Sequence, residues 1–190
     1  MWGYVPLYRL VVERVYVPDS LSWNILANLC GWIFFFSMIG IWFSPQIRVD
    51  LGNLIGLPEY TLQVGPLETS LLNIVLGSPF LALGALIGII SVKKLGIKIS
   101  SYLKTEKLVT TGIYSKIRHP QYLGGILSHI GISIILMSGY ALLYTPLLAL
   151  QFYLMALIDE QALIKKFGEL YIEYKKKVPM FLPISIRRRK

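Results

Sequence analysis

The sequence predicts an all-α polytopic membrane protein with about four transmembrane helices, the last two a tight hairpin, followed by an amphipathic cytosolic helix. Three observations predict it. Hydrophobic residues make up 55% of the 190 and charged residues 15%, well below the usual quarter. Charge is missing altogether from three long runs. Lys and Arg number 19, and all but Arg9, Arg14 and Arg48 fall on two segments. At this length the expectation is one integral membrane domain, 1–190, with the N-terminal spans in 1–104.

The elements follow in order. Trp2, Tyr4, Tyr8 and Trp23 suit a short interfacial entry segment, where amphipathic rings sit at the headgroup level. The start lacks a basic region, a short apolar core and a small-residue cleavage site, so no secretory leader is expected. The first charge-free run is Ser20 to Ile47, densest from Trp23 to Phe43. The second is Thr69 to Val92. Each exceeds the roughly 20 residues that a spanning helix needs. The third, His119 to Ile158, would reach about 60 Å as one straight helix, twice the hydrocarbon core of about 30 Å. It must double back, and Ser138-Gly139-Tyr140 is the natural turn, giving helices over Gln121–Met137 and Ala141–Ile158. Beyond it, Leu163, Phe167, Leu170, Tyr171, Tyr174 and Val178 share one helical stripe, with Lys165–Glu169 and Glu173–Lys177 at i,i+4 on the wet side. That helix stops near Pro179, with Pro183 beyond it. It reads either as a surface helix on the bilayer or as a lid over the loop Lys107–Tyr122.

The charges orient the spans. The loop Ser44–Glu68 holds one basic residue, Arg48, beside Asp50, Glu59 and Glu68. The loop before the hairpin carries Lys93, Lys94, Lys98, Lys104, Lys107, Lys116 and Arg118, and the tail ends in Arg187-Arg188-Arg189-Lys190. Positive charge stays cytosolic, so an even number of spans puts both termini in the cytosol. The plasma membrane and the endoplasmic reticulum are both open. The net charge of +9 is explained by topology and lipid headgroups rather than nucleic acid. Gly84-Ala85-Leu86-Ile87-Gly88, with Gly77 and Ser91 near the same face, favours close helix packing within a monomer. Cys30 is the lone cysteine, and His119 and His129 stand on different helical faces, so no metal site is expected.

One stretch concentrates the chemistry. Lys107-Leu108-Val109-Thr110-Thr111-Gly112-Ile113-Tyr114 leads into Arg118-His119-Pro120-Gln121-Tyr122-Leu123-Gly124 at the start of the third run, and Asp159-Glu160 closes that run. These blocks, with Phe167-Gly168-Glu169-Leu170-Tyr171-Ile172-Glu173-Tyr174 and Val178-Pro179, resemble the isoprenylcysteine carboxyl methyltransferase family and share much with the phospholipid methyltransferases. The likeness covers about 105–183. It implies a methyltransferase half with a pocket for S-adenosyl-L-methionine at the cytosolic ends of the hairpin. Lys107, Leu108, Val109, Tyr114, His119, Pro120, Gln121, Tyr122 and the pair Asp159 and Glu160 would line that pocket. This chain has Asp159 where the family usually has Glu, so either carboxylate could meet the cofactor. Four residues before Asp159, where the family places a basic residue against the substrate carboxylate, stands Met155. Its apolar arm suits an alkyl chain, so the implied partners are the bilayer and a lipophilic or prenylated acceptor.

The residue types fit independently. S-adenosylmethionine needs acceptors for its ribose and amino group, which Asp159 and Glu160 offer, and donors for its carboxylate, which Arg118 and His119 offer. Tyr114 and Tyr122 can face the sulfonium. Methyl transfer needs alignment and desolvation rather than an acid–base pair, so no catalytic residue is expected, Arg118 being the nearest candidate. Two alternatives stand beside this reading. A membrane NADPH-dependent reductase of sterol type also carries Arg-His-Pro, although Gln121, Leu123 and Gly125 depart from its usual continuation. A non-enzymatic scaffold or lipid carrier would place ionisable groups inside its spans, which here offer little beyond His129.

Overall fold

A computed structural model describes residues 36–44, 47–57, 60–64, 67–95 and 107–182. The chain divides into two compact units, Met1–Pro45 and Gln46–Lys190. In the first, residues 36–43 form a helix, α1. The rest of the expected first span to residue 35, the interfacial aromatics, Lys98, Lys104 and the terminal Arg187–Lys190 lie outside the described residues.

The second unit is built on three long helices. They are α3 (Leu71–Leu95), α4 (Pro120–Ile135) and α5 (Gly139–Phe167), preceded by the single turn α2 (Leu51–Leu54) and followed by α6 (Glu169–Lys177). Helices α3 and α5 are long and apolar enough to cross a membrane, at about 37 and 43 Å. Two residues of the expected second span are not helical. Thr69 and Ser70 end a β-hairpin of β1 (Thr61–Val64) and β2 (Leu67–Ser70), antiparallel with Thr61 opposite Ser70. Pro79 interrupts α3 and cannot donate to the Val75 carbonyl; the Ser78 hydroxyl donates to that oxygen instead, at 3.4 Å.

Small residues set the closest helix contact. A Cβ at Gly77 would lie 2.7 Å from the Gly131 carbonyl, and one at Gly84 2.5 Å from the Ser128 backbone nitrogen. Gly124 and Gly131 meet the Gly84 and Gly77 carbonyls in return. The seam on α3 is therefore Gly77, Gly84 and Ser91, spaced by seven, running antiparallel along α4 and spent within the chain. Gly88 lies beside it, and a Cβ there would meet nothing within 4 Å.

The turn between α4 and α5 lies at Leu136–Ser138, because Met137 takes φ 53° and Gly139 and Tyr140 already belong to α5. The segment Ile47–Asp50 laces it. Val49 N donates to Met137 O at 2.8 Å, Gly139 N to Ile47 O at 3.1 Å and Arg48 Nη1 to Leu136 O at 2.9 Å. Asn73, 1% exposed, uses both ends of its amide there. Its nitrogen donates to Val49 O and Ile134 O at 2.9 and 2.8 Å, and its oxygen accepts from Leu51 N and Ser70 Oγ, both at 2.9 Å. Side chains thus satisfy carbonyls that the end of α4 leaves open.

At the other end, the expected boundary at Ile158 and the single stripe from Leu163 to Val178 both need correction. Helix α5 continues to Phe167, and Gly168, at φ 55°, ends it and starts α6 in a new register. Leu163, Tyr171, Tyr174 and Val178 are buried together, but Leu170 is 68% exposed. Gly168 also falls between Lys165 and Glu169, and Glu173 pairs with Lys176 at 2.7 Å rather than with Lys177.

Candidate functional site

The loop before α4 is pinned at both ends. Gly112 has φ 67° and opens a 3₁₀ turn, Gly112–Ser115, which aims Tyr114 inward. Tyr114 is fully buried in a cluster with Leu95, Leu163, Tyr171, Tyr174 and Val178, against which Leu108 and Val109 pack. Its hydroxyl reaches toward Ser91 O at 3.4 Å, and its carbonyl accepts from Tyr174 Oη at 2.5 Å. Helix α6 therefore packs against this loop at Tyr114, while Lys107, Thr111, Gly112, Ser115 and Lys116 stay exposed. Burial pushes the phenols of Tyr171 and Tyr174 well above the usual range, and the Glu160 carboxylate adds to the effect at Tyr171.

The start of α4, the end of α5 and α6 meet at Glu160. This residue is fully buried. Its Oε1 lies 2.8 Å from Arg118 Nη2 and 3.4 Å from His119 Nε2, and its Oε2 lies 2.6 Å from Lys175 Nζ. Arg118 also donates from Nη1 to Lys175 O at 2.9 Å, and the backbone of Arg118 and His119 donates to Pro179 O and Met180 O. A buried carboxylate surrounded by basic groups holds three elements in one arrangement. Arg118 and Glu160, both named as cofactor candidates, are thus spent largely on each other.

Asp159 faces the other way. It is only partly buried, and its Oδ2 accepts from Tyr122 Oη at 2.6 Å. The Tyr122 ring lies between His119, at 5.7 Å and 11°, and Phe152, at 5.2 Å and 16°; Phe181 stands 6.2 Å from His119. Pro120, at the first position of α4, is fully buried. Phe152, Met155 and Asp159 recur at helical spacing on one flank of α5, and Met155 is 45% exposed.

Beside the stack, a groove of about 690 Å³ runs between α3 and α4. Gly84, Gly88, Gly124, Gly125, Lys93 and Gln121 line it, and Gly88, where a Cβ would meet nothing within 4 Å, faces its open space. The Gln121 amide nitrogen is buried without a hydrogen-bond partner among the described residues. The sequence reading missed Phe152, Lys175 and Phe181. Phe152 sits in a charge-free run like any apolar residue, and nothing in the triplet Lys175-Lys176-Lys177 says which lysine turns inward.

The sequence model of the phospholipid methyltransferase family matches residues 72–170. The protein-S-isoprenylcysteine O-methyltransferase of Xenopus laevis is 41% identical over 80 residues, which are 42% of this chain and 28% of that one. Its Saccharomyces cerevisiae namesake is 35% identical over 115 residues, 57% of this chain and 48% of its own. This chain thus spans less than half the length of either relative. In fold it is similar to the eukaryotic intramembrane Ras methyltransferase, isoprenylcysteine carboxyl methyltransferase, at a TM-score of 0.50 and 22% identity, over 93% of this chain and 59% of that one. The composition, the two long apolar helices and these relatives make it a membrane protein. With just over half of its residues matched by the family's sequence model, the chain belongs to the phospholipid methyltransferase family.

Proposed function

We propose that this chain is an integral membrane methyltransferase that uses S-adenosyl-L-methionine to methylate a lipophilic acceptor, in the manner of the protein-S-isoprenylcysteine O-methyltransferases. The observation that carries the reading is the division of labour between two adjacent carboxylates. Glu160 is consumed by Arg118, His119 and Lys175, whereas Asp159 remains partly open beside the His119–Tyr122–Phe152 stack.

The donor set fits the cofactor. Asp159 offers an acceptor to a ribose or amino group, and the Gln121 amide nitrogen, without a partner among the described residues, offers a donor to a carboxylate. With the Tyr122 ring held between His119 and Phe152, the outer face of Phe152 is the aromatic surface left to meet a sulfonium. Leu108, Val109 and Pro120 would add apolar walls, and Lys107 a cation at the rim. Tyr114 and Glu160 would act from behind, by fixing the loop and His119. When bound, S-adenosylmethionine supplies an electrophilic methyl group to a nucleophile. The protein's own contribution is to orient, cover and dry the site, with α6 and the Val178–Phe181 segment lying over it. The small-residue groove would receive an isoprenoid or acyl chain from the bilayer, with Met155 an apolar contact for it. An isoprenylcysteine carboxylate is the leading acceptor.

The basic loop and tail support four spans with both termini cytosolic, and the use of the glycine seam inside the chain supports a monomer. Single cysteines at Asn53 and Lys176 should label from opposite sides of the membrane; labelling from one side would end the topology. Radiolabelled methyl transfer to a prenylcysteine analogue, run beside a membrane lipid extract, tests the acceptor. Methylation of a small water-soluble acceptor with none of either lipid class would overturn it.

A further inference from the structure

The far end of α3 holds a second polar feature that methyl transfer does not use. Asp50 is 8% exposed. Its Oδ1 accepts from Gly52 N at 2.7 Å and shares the single Ser70 hydroxyl proton with Asn73 Oδ1, the Ser70 Oγ lying 3.1 Å away, while its Oδ2 is buried with no partner among the described residues. A carboxylate oxygen taken out of water without a donor is costly, so this one calls for a donor that the described residues do not supply.

The space for it is present. Asp50 and Ser70 line a cavity of about 300 Å³ whose other walls include Leu57, Tyr60, Leu71 and Val75. Leu71 and Val75 are about half exposed and continue the apolar wall along α3. Along α3 the cavity reaches Val75 and the groove begins at Gly84, nine residues or about 14 Å further on, so the two are separate features of one helix. One carboxylate and one hydroxyl are too few oxygens for a calcium or magnesium ion. The apolar walls select against a bare polar solute.

We propose that this cavity binds a bilayer lipid with a primary ammonium head. Asp50 Oδ2 accepts its N–H, and its chain leaves along Leu71 and Val75 into the hydrocarbon. The volume stands at the small end of ligand cavities, enough for a head group and a few carbons, which is why the chain must continue outside. The site does not depend on the methyltransferase reading.

The test uses the full chain purified in a neutral detergent, titrated calorimetrically with dodecylammonium, dodecyltrimethylammonium and dodecanol. The primary ammonium should bind at one site per chain, at least tenfold tighter than the other two. Asp50→Asn, which keeps an oxygen for the Gly52 cap, should abolish that preference, and Leu57→Trp should block binding from the cavity wall. Nanodiscs with and without an ethanolamine-headed lipid, read by native mass spectrometry, should show that lipid retained on the wild type and lost from Leu57→Trp. Equal binding of amine and alcohol would overturn the proposal. So would unchanged amine binding by Asp50→Asn or, where that variant does not fold, by Leu57→Trp.

Discussion

Replacing Glu160 by leucine tests the buried ion cluster most sharply. Leucine has a similar volume and fills the space but removes the charge that Arg118 meets at 2.8 Å and Lys175 at 2.6 Å. Lys175 is 28% exposed and can turn to water, so it contributes little to the cost. Arg118 is 8% exposed and keeps its bond to Lys175 O. Breaking a buried pair costs about 3–5 kcal/mol, and the remaining bond points to the lower end, about 3 kcal/mol. For a chain of this size that is a fall in Tm of about 6–12 °C. Glu160→Gln keeps an acceptor and should lose about half as much. Adding Arg118→Met to Glu160→Leu should recover part of the loss, because the stranded guanidinium goes with it. Thermal unfolding of wild type, Glu160→Leu, Arg118→Met and the double variant in one detergent measures the cycle. Glu160→Leu within 1 kcal/mol of wild type, or a double variant as unstable as the sum of the singles, would refute the reasoning.

Other outcomes follow from single contacts. Gly84→Leu drives its side chain into the backbone of α4 and should cost about 3 kcal/mol or prevent folding. Gly88→Leu meets open space, so its Tm should hold while its KM for a lipid acceptor rises as the groove fills. Asn73→Leu removes four hydrogen bonds at about 1 kcal/mol each, and a chemical unfolding curve should show a loss of about 3–4 kcal/mol. The phenols of Tyr171 and Tyr174 are raised in the folded chain, so their contribution is complete below pH 10 and falls as pH climbs above it. Each should add about 1.4 kcal/mol of loss per pH unit there, and Tyr171→Phe should flatten a plot of Tm against pH over that range.

The sequence made the helices legible where composition alone decides them. A long charge-free run in a hydrophobic chain has few other fates, and the third run was too long not to turn. It did not locate breaks made by one backbone angle. Met137 at φ 53° moves the turn ahead of Ser138-Gly139-Tyr140, and Gly168 at φ 55° splits the expected amphipathic stripe. The hairpin Thr61–Ser70 had a signal in Gly65-Pro66 between two short β-prone runs, which the loop reading passed over. In the site, adjacency of Asp159 and Glu160 hid their difference, because neighbouring helical residues point about 100° apart. One faces the basic cluster and the other the aromatic stack. Asn73 stood out as a lone amide in an apolar run, but its partners come from three distant segments that no local pattern brings together.

Calorimetric binding of S-adenosylhomocysteine, set against NADPH, tests the central claim most directly. One site for S-adenosylhomocysteine and no heat from NADPH are expected. So is at least tenfold weaker binding in Asp159→Asn and Tyr122→Phe, each of which still inserts and unfolds near the wild-type temperature. NADPH binding without S-adenosylhomocysteine binding, or full affinity retained in both variants, would contradict it.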